Sequence, residues 1–129
     1  MPHHSGNPWV ELVGQIIVAR IRGLPTEELV RECQNRILAL IKDTGCMRVM
    51  YDALELDSPT IDVTLTQQTL TEALNETPLR IAIVVSNTRV AYLARLAFGN
   101  ANHRVFYNDI PSALRWLEEP DAAPARPRG

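Results

Sequence analysis

Arg80-Ile81-Ala82-Ile83-Val84-Val85 is the stretch that decides the fold. Apart from its leading arginine it is an unbroken apolar run, as expected of a strand covered by helices on both faces. Ser86-Asn87 follows with two capping side chains, and the Ala/Leu-rich segment after it predicts a helix over 87–98, stopped at Gly99-Asn100. Arg104-Val105-Phe106-Tyr107 then reads as another strand. Asn108-Asp109-Ile110-Pro111 opens a last helix over 111–118, with Pro111 in its first turn and Pro120 as its stop. Strands alternating with helices require parallel βαβ units, because two parallel strands need a long crossover between them.

The same grammar extends toward the N-terminus. Trp9–Val13 and residues 15–22 read as two strands parted at Gly14, most simply a hairpin. Ile16 and Val18 alternate with Ile17, Ala19 and Ile21, which predicts burial of this pair on much of both faces. Thr26 is placed as the N-cap of the first helix, with Glu27 and Glu28 where the helix dipole favours acids. Leu29, Cys33, Ile37, Leu40 and Ile41 recur at helical spacing until Asp43-Thr44-Gly45. Residues 47–51 form the next short strand, closed by Asp52. Ile61, Val63 and Leu65 alternate like a strand, yet Leu70, Ala73 and Leu74 follow helical spacing. The need for a crossover decides for a loop to about residue 60 and a helix through Glu76. The result is an α/β fold of five strands and four helices in the order ββαβαβαβα, with only the first strand antiparallel. It fills residues 9–119, between a flexible 1–8 and a disordered Pro/Ala-rich 120–129.

Composition narrows the class of protein. A chain of 129 residues and 14.5 kDa is one domain, long enough to fold without disulfide or metal. A formal net charge of -2 does not point to nucleic acid or an anionic membrane. No apolar run approaches the ~20 residues of a membrane helix, and no basic segment precedes an apolar core as in a secretory signal. A cytoplasmic location is therefore expected. The near-absence of lysine, with Lys42 alone among the 13 basic residues, suggests a GC-rich bacterial genome. Cys33 and Cys46 match no metal or redox spacing and read as reduced packing residues. His3 and His4 lie in the lead-in and read as part of a mobile terminus. No internal repeat is present.

Met50-Tyr51-Asp52, the run 80–85, and above all Val105-Phe106-Tyr107-Asn108-Asp109 with Ala113-Leu114-Arg115-Trp116-Leu117 resemble the STAS domain. More closely, they resemble its small, stand-alone, SpoIIAA-like bacterial proteins. The resemblance covers roughly residues 10–118 and implies a regulatory module without catalysis or cofactor. Phosphorylation-switched STAS antagonists carry Asp-Ser-Ser-Gly after the third strand. Here Asp57-Ser58 match, but Pro59 and Thr60 stand in the other two places. Loss of the second hydroxyl argues against a switch at Ser58, although Ser58 and Thr60 still offer hydroxyls beside a helix start.

In an open parallel sheet, partners and ligands meet the loops beyond the carboxyl ends of the strands. That rim carries Asp52, Asp57, Ser58 and Thr60, then Ser86, Asn87, Thr88 and Arg89, then Asn108 and Asp109. Ser86 to Arg89 joins two capping side chains, free amides and a cation at one helix start. It reads as an anion site or as a capped helix with a solvated arginine. The loop at Asp57 competes poorly for anions, because Asp52 and Asp57 repel them and no cation is close in sequence. Asp52 reads as a loop cap rather than a base or metal ligand, and Asp109 as a helix cap. Phe106 and Trp116 read as packing between the last helix and the sheet. His103 precedes the last strand, a strand length (roughly 15 Å) from Ser58 and Ser86, which argues against a serine triad. No phosphate-binding glycine motif and no metal-ligand spacing occurs.

The sequence thus favours a non-enzymatic STAS-like module that recognises a protein partner or small ligand at the strand-end rim. A lipid or anion carrier, or an enzyme using the same rim, is the alternative, and a homodimer a third use of the surface.

Overall fold

The computed structural model describes residues 8–120, so the expectations for the two termini fall outside the described residues but for Pro8 and Pro120. The strands are β1 (Trp9–Val13), β2 (Ile16–Arg20), β3 (Arg48–Ala53), β4 (Arg80–Val85) and β5 (His103–Tyr107). The helices are α1 (Glu27–Thr44), α2 (Ile61–Glu72), α3 (Thr88–Phe98) and α4 (Ile110–Glu118). This is the element order the sequence predicts. The five strands form one mixed sheet in the spatial order β1-β2-β3-β4-β5, with β1 antiparallel to β2 and the rest parallel.

That order fixes the layers. Each parallel crossover moves one strand in the same direction, and crossovers are right-handed, so α1, α2 and α3 fall on one face. Helix α4 follows the last strand and folds back onto the other face. Alternation along the strands divides the core accordingly. Ile17, Ala19, Val49, Tyr51, Ile81, Ile83 and Val85 pack with Leu29, Cys33 and Ile37 of α1 and Val90, Ala91, Ala97 and Phe98 of α3. Ile16, Met50, Ala82 and Val84 pack with Ala113 and Leu117 of α4. Phe106 meets Trp116 at 6.1 Å between ring centroids, the expected contact of α4 with the sheet.

The caps lie where chemistry asks for them. Thr26, Thr60, Asn87 and Asp109 each accept a bond from the third backbone N–H of the helix they open. Gly45 ends α1 at φ 74°, a left-handed conformation that only glycine adopts cheaply.

Several expectations need correction. β1 is not buried: only Val10 is half covered, because β1 is an edge strand and α4 lies over β3, β4 and β5 instead. β2 is shorter than residues 15–22. β3 runs on to Ala53, so Asp52 lies within the strand rather than closing it. Cys46 precedes β3 in a loop, its Sγ 3.1 Å from the Gln15 carbonyl oxygen. α2 ends at Glu72, where a turn through Leu74 buries that side chain beneath the helical layer and leads to β4.

Candidate functional site

The carboxyl ends of β2 to β5 form a rim of four loops. The loop from β3 to α2 is tied to the start of α1 on both sides of Gly23. Gly23 donates its N–H to Glu55 O, and Asp57 N–H donates back to Gly23 O, both at 2.9 Å. The loop before α3 holds Ser86 and Asn87, and the loop before α4 holds Asn108 and Asp109. Asn108 takes a left-handed φ of 50° and donates its N–H to Val85 O, closing the β4 end of the rim.

Most of the polar residues singled out from the sequence are engaged in this architecture. Asn87 Oδ1 accepts from Val90 N–H at 2.9 Å, and Ser86 Oγ lies 3.4 Å from Asn87 Nδ2. Thr60 Oγ1 accepts from Val63 N–H at 3.2 Å. Asp109 accepts from Ser112, and those bonds hold its carboxyl below the usual carboxylate range. Asp52 is buried. One of its oxygens accepts Arg20 Nε at 3.1 Å and the other accepts Leu54 N–H at 3.3 Å. A cation therefore does stand beside Asp52, brought from β2 across the sheet, where the sequence showed none nearby. Ser58 is half-buried, and Asp57, Thr88 and Arg89 are exposed. His103 sits at the opposite end of the sheet, its Nδ1 2.9 Å from the Ala101 carbonyl oxygen. Among the described residues no three His, Cys, Asp or Glu side chains are grouped to hold a metal ion.

Two features of the rim were not foreseen. The first is the orientation of α2. Its inner face carries Val63 with three polar residues, Thr64, Gln67 and Thr71. Its outer face presents Ile61 and Leu65, which are 58% and 52% exposed. Tyr92 and Leu96 of α3, at 61% and 39%, add to the apolar surface of this pair of packed helices. The inward hydroxyls and amide are satisfied close to home. Thr64 Oγ1 donates to Thr60 O at 2.9 Å, and Gln67 Nε2 donates to Thr71 Oγ1 at 3.0 Å. The alternation of Ile61, Val63 and Leu65 carried a trace of this, since in a helix residues two apart lie on opposite sides.

The second feature is a cavity of about 70 Å³ beneath α2, opening at the rim. Pro25, Leu56 and Pro59 stand at the loops, Val63 and Gln67 on α2, Leu93 and Ala97 on α3, and Tyr51 and Ile83 on the sheet.

The architecture matches solved structures. One is an uncharacterised protein of the DUF3478 family with a SpoIIAA-like fold from Shewanella loihica PV-4 (TM-score 0.62, 18% identity, covering 91% of this chain and 98% of that one). The chain has a SpoIIAA-like fold. A second similar structure is that of an anti-sigma factor antagonist from Mycobacterium paratuberculosis (TM-score 0.65, 13% identity, covering 88% of this chain and 94% of that one). No family model and no curated protein matches the sequence. Across this SpoIIAA-like framework no described helix is long and apolar enough to cross a membrane.

Proposed function

We propose that this SpoIIAA-like protein is a non-enzymatic regulatory module of the bacterial cytoplasm. It binds a protein partner through the strand-end rim and the adjoining outer face of α2 and α3. The observation that carries this is the inverted helix. A helix that folds only for its own domain turns its large aliphatic residues inward. α2 departs from this, leaving Ile61 and Leu65 more than half exposed and placing two threonines and a glutamine beside Val63 on its inner face. Exposed apolar side chains grouped beside a polar rim are the usual composition of a recognition surface. Asp57, Ser58 and Thr60 on one side, and Ser86, Asn87, Thr88 and Arg89 on the other, border this face and supply its polar margin. An anti-sigma factor antagonist with the same fold supports a protein as the partner. Lipid carriage is less well served: the cavity measures about 70 Å³, whereas pockets that enclose drug-sized ligands run to about 300–1,000 Å³.

The test is comparative capture from the native host. Tagged wild type and the Ile61→Glu, Leu65→Glu double variant are compared by quantitative mass spectrometry, and any differential partner is then purified and titrated. A purified partner whose affinity for the variant falls at least tenfold supports the reading. Equal binding by both proteins overturns it.

A further inference from the structure

We infer that the cavity beneath α2 is a socket for one aliphatic side chain, carried on a basic segment of the protein partner. The inference rests on the docking reading above and names the chemistry of that partner.

Three observations lead there. The first is the chemistry of the walls. They are almost wholly apolar: the polar residues among them are Tyr51, Asp52, Thr64 and Gln67, and the last three have polar partners elsewhere. Asp52 holds Arg20 and the Leu54 amide, Thr64 donates to Thr60 O, and Gln67 donates to Thr71. A polar group entering would exchange water for apolar wall with little in return, so the occupant is apolar. The second is size. One water needs about 10–15 Å³ of such space, and a cavity that holds benzene measures about 150 Å³. At about 70 Å³ this cavity falls between them and suits a branched three- or four-carbon group, the end of a leucine, isoleucine or valine.

The third is the charge at the mouth. Glu27 and Glu28 in the first turn of α1, Asp57 in the following loop and Asp62 in the first turn of α2 are all exposed. The bonds across Gly23 bring the α1 start against this loop, and Thr66 Oγ1 donates to Glu27 at 2.9 Å, joining α1 to α2. Glu55 is answered by Arg22 at 3.5 Å, and exposed Arg89 at the start of α3 offsets one charge more, which still leaves an acidic excess around the opening. A segment with lysine or arginine beside its anchor is complementary to that ring; an acidic one is repelled. An anchor in a dry pocket with charges at its margin is the arrangement in which one residue dominates an interface.

The probes are isobutanol, which is the leucine side-chain end with a hydroxyl, and three capped tripeptides: Arg-Leu-Arg, Arg-Ser-Arg and Glu-Leu-Glu. Binding is read from methyl NMR shifts of Ile21, Val63 and Leu93. Isobutanol and Arg-Leu-Arg are expected to give saturable shifts in the millimolar range. Arg-Ser-Arg is expected to leave these methyls still, and Glu-Leu-Glu to bind at least tenfold more weakly than Arg-Leu-Arg. Ala94→Leu, at a half-buried wall position, and Ala97→Val fill the space and should abolish the shifts. Circular dichroism identifies any variant that fails to fold, and the folded one then decides. Absent shifts, shifts that persist in a folded filled variant, or equal binding of the acidic peptide each overturn the socket. A purified partner that binds Ala94→Leu as tightly as wild type, yet loses the Ile61, Leu65 double variant, overturns the socket while sparing the docking face. Equal binding to that double variant overturns the docking face itself.

Discussion

If α2 is turned as described, replacing both of its large outer residues by glutamate should cost little stability. Full burial of a leucine or isoleucine side chain is worth about 2 kcal/mol. Leu65 is 52% exposed, so about half of that, roughly 1 kcal/mol, is at stake. Ile61 is 58% exposed, which puts roughly 0.8 kcal/mol at stake there. Ile61 is also the first residue of α2, where a glutamate gains about 0.5 kcal/mol from the helix dipole. The Ile61→Glu, Leu65→Glu protein should therefore fold and lose about 1.3 kcal/mol, that is 1 plus 0.8 less 0.5. Urea unfolding followed by far-UV circular dichroism and tryptophan emission measures this. The control is Val63→Glu, between the two in sequence but on the buried face, where an unpaired carboxylate should prevent folding. A double variant that loses more than about 3 kcal/mol, the range of buried apolar truncations, would show Ile61 and Leu65 to be core residues. The recognition face would then not exist.

Four further outcomes are expected. Cys46, half-buried in a loop, should react with a thiol reagent at pH 8, while Cys33 reacts only on unfolding. Burial lifts the Cys33 thiol from 9.0 to about 12, with Arg36 opposing and Glu32 assisting, and burial lifts the Tyr51 phenol in the same direction. The neutral thiol is the form the fold favours, so stability is intact below pH 9 and declines as pH rises from about 9 to about 12. The decline should be shallower in Cys33→Ala. Arg80→Ala should destabilise α4 by roughly 1–3 kcal/mol, because Arg80 Nη1 donates to Trp116 O and Glu119 O, both at 2.8 Å, and its guanidinium lies 5.5 Å from the Trp116 ring centre. Faster amide exchange confined to 110–119 would show it. Ser58 should carry no regulated phosphate: Pro59 removes the neighbouring hydroxyl, and Thr60 already caps α2. Phosphopeptide mapping of protein from growing and starved native cells decides this, with substantial modification at Ser58 reviving the antagonist switch.

How much of this was legible beforehand differs between elements. The run 80–85 could only be a strand covered on both faces, and the spacing of strands with helices forced parallel crossovers. Thr26, Thr60, Asn87 and Asp109 are caps because short oxygen-bearing side chains reach their own helix amides, an interaction local in sequence. The fold class and element order follow from such local rules, and the structure bears them out. Asp52 shows where they stop. Its partner Arg20 is 32 residues away and arrives only because β2 and β3 pair in a register that places the two side by side. The sequential strand order is likewise a choice of pairing, and it alone assigns α1, α2 and α3 to one face and α4 to the other. α2 is the sharpest case. Ile61, Val63 and Leu65 are nearly equal in hydrophobicity, so the sequence offers no reason to bury one and expose two. The rotation of the helix is set by its packing on α1 and α3, and Gln34 of α1 donates to Leu70 O at 3.3 Å. Elements, caps and the need for parallel crossovers follow from residues near one another in the chain, because hydrogen bonding and amphipathic period act over a few residues. The tertiary structure decided which apolar residues face solvent, which charges meet and where space is left unfilled, because these depend on groups that only folding brings together.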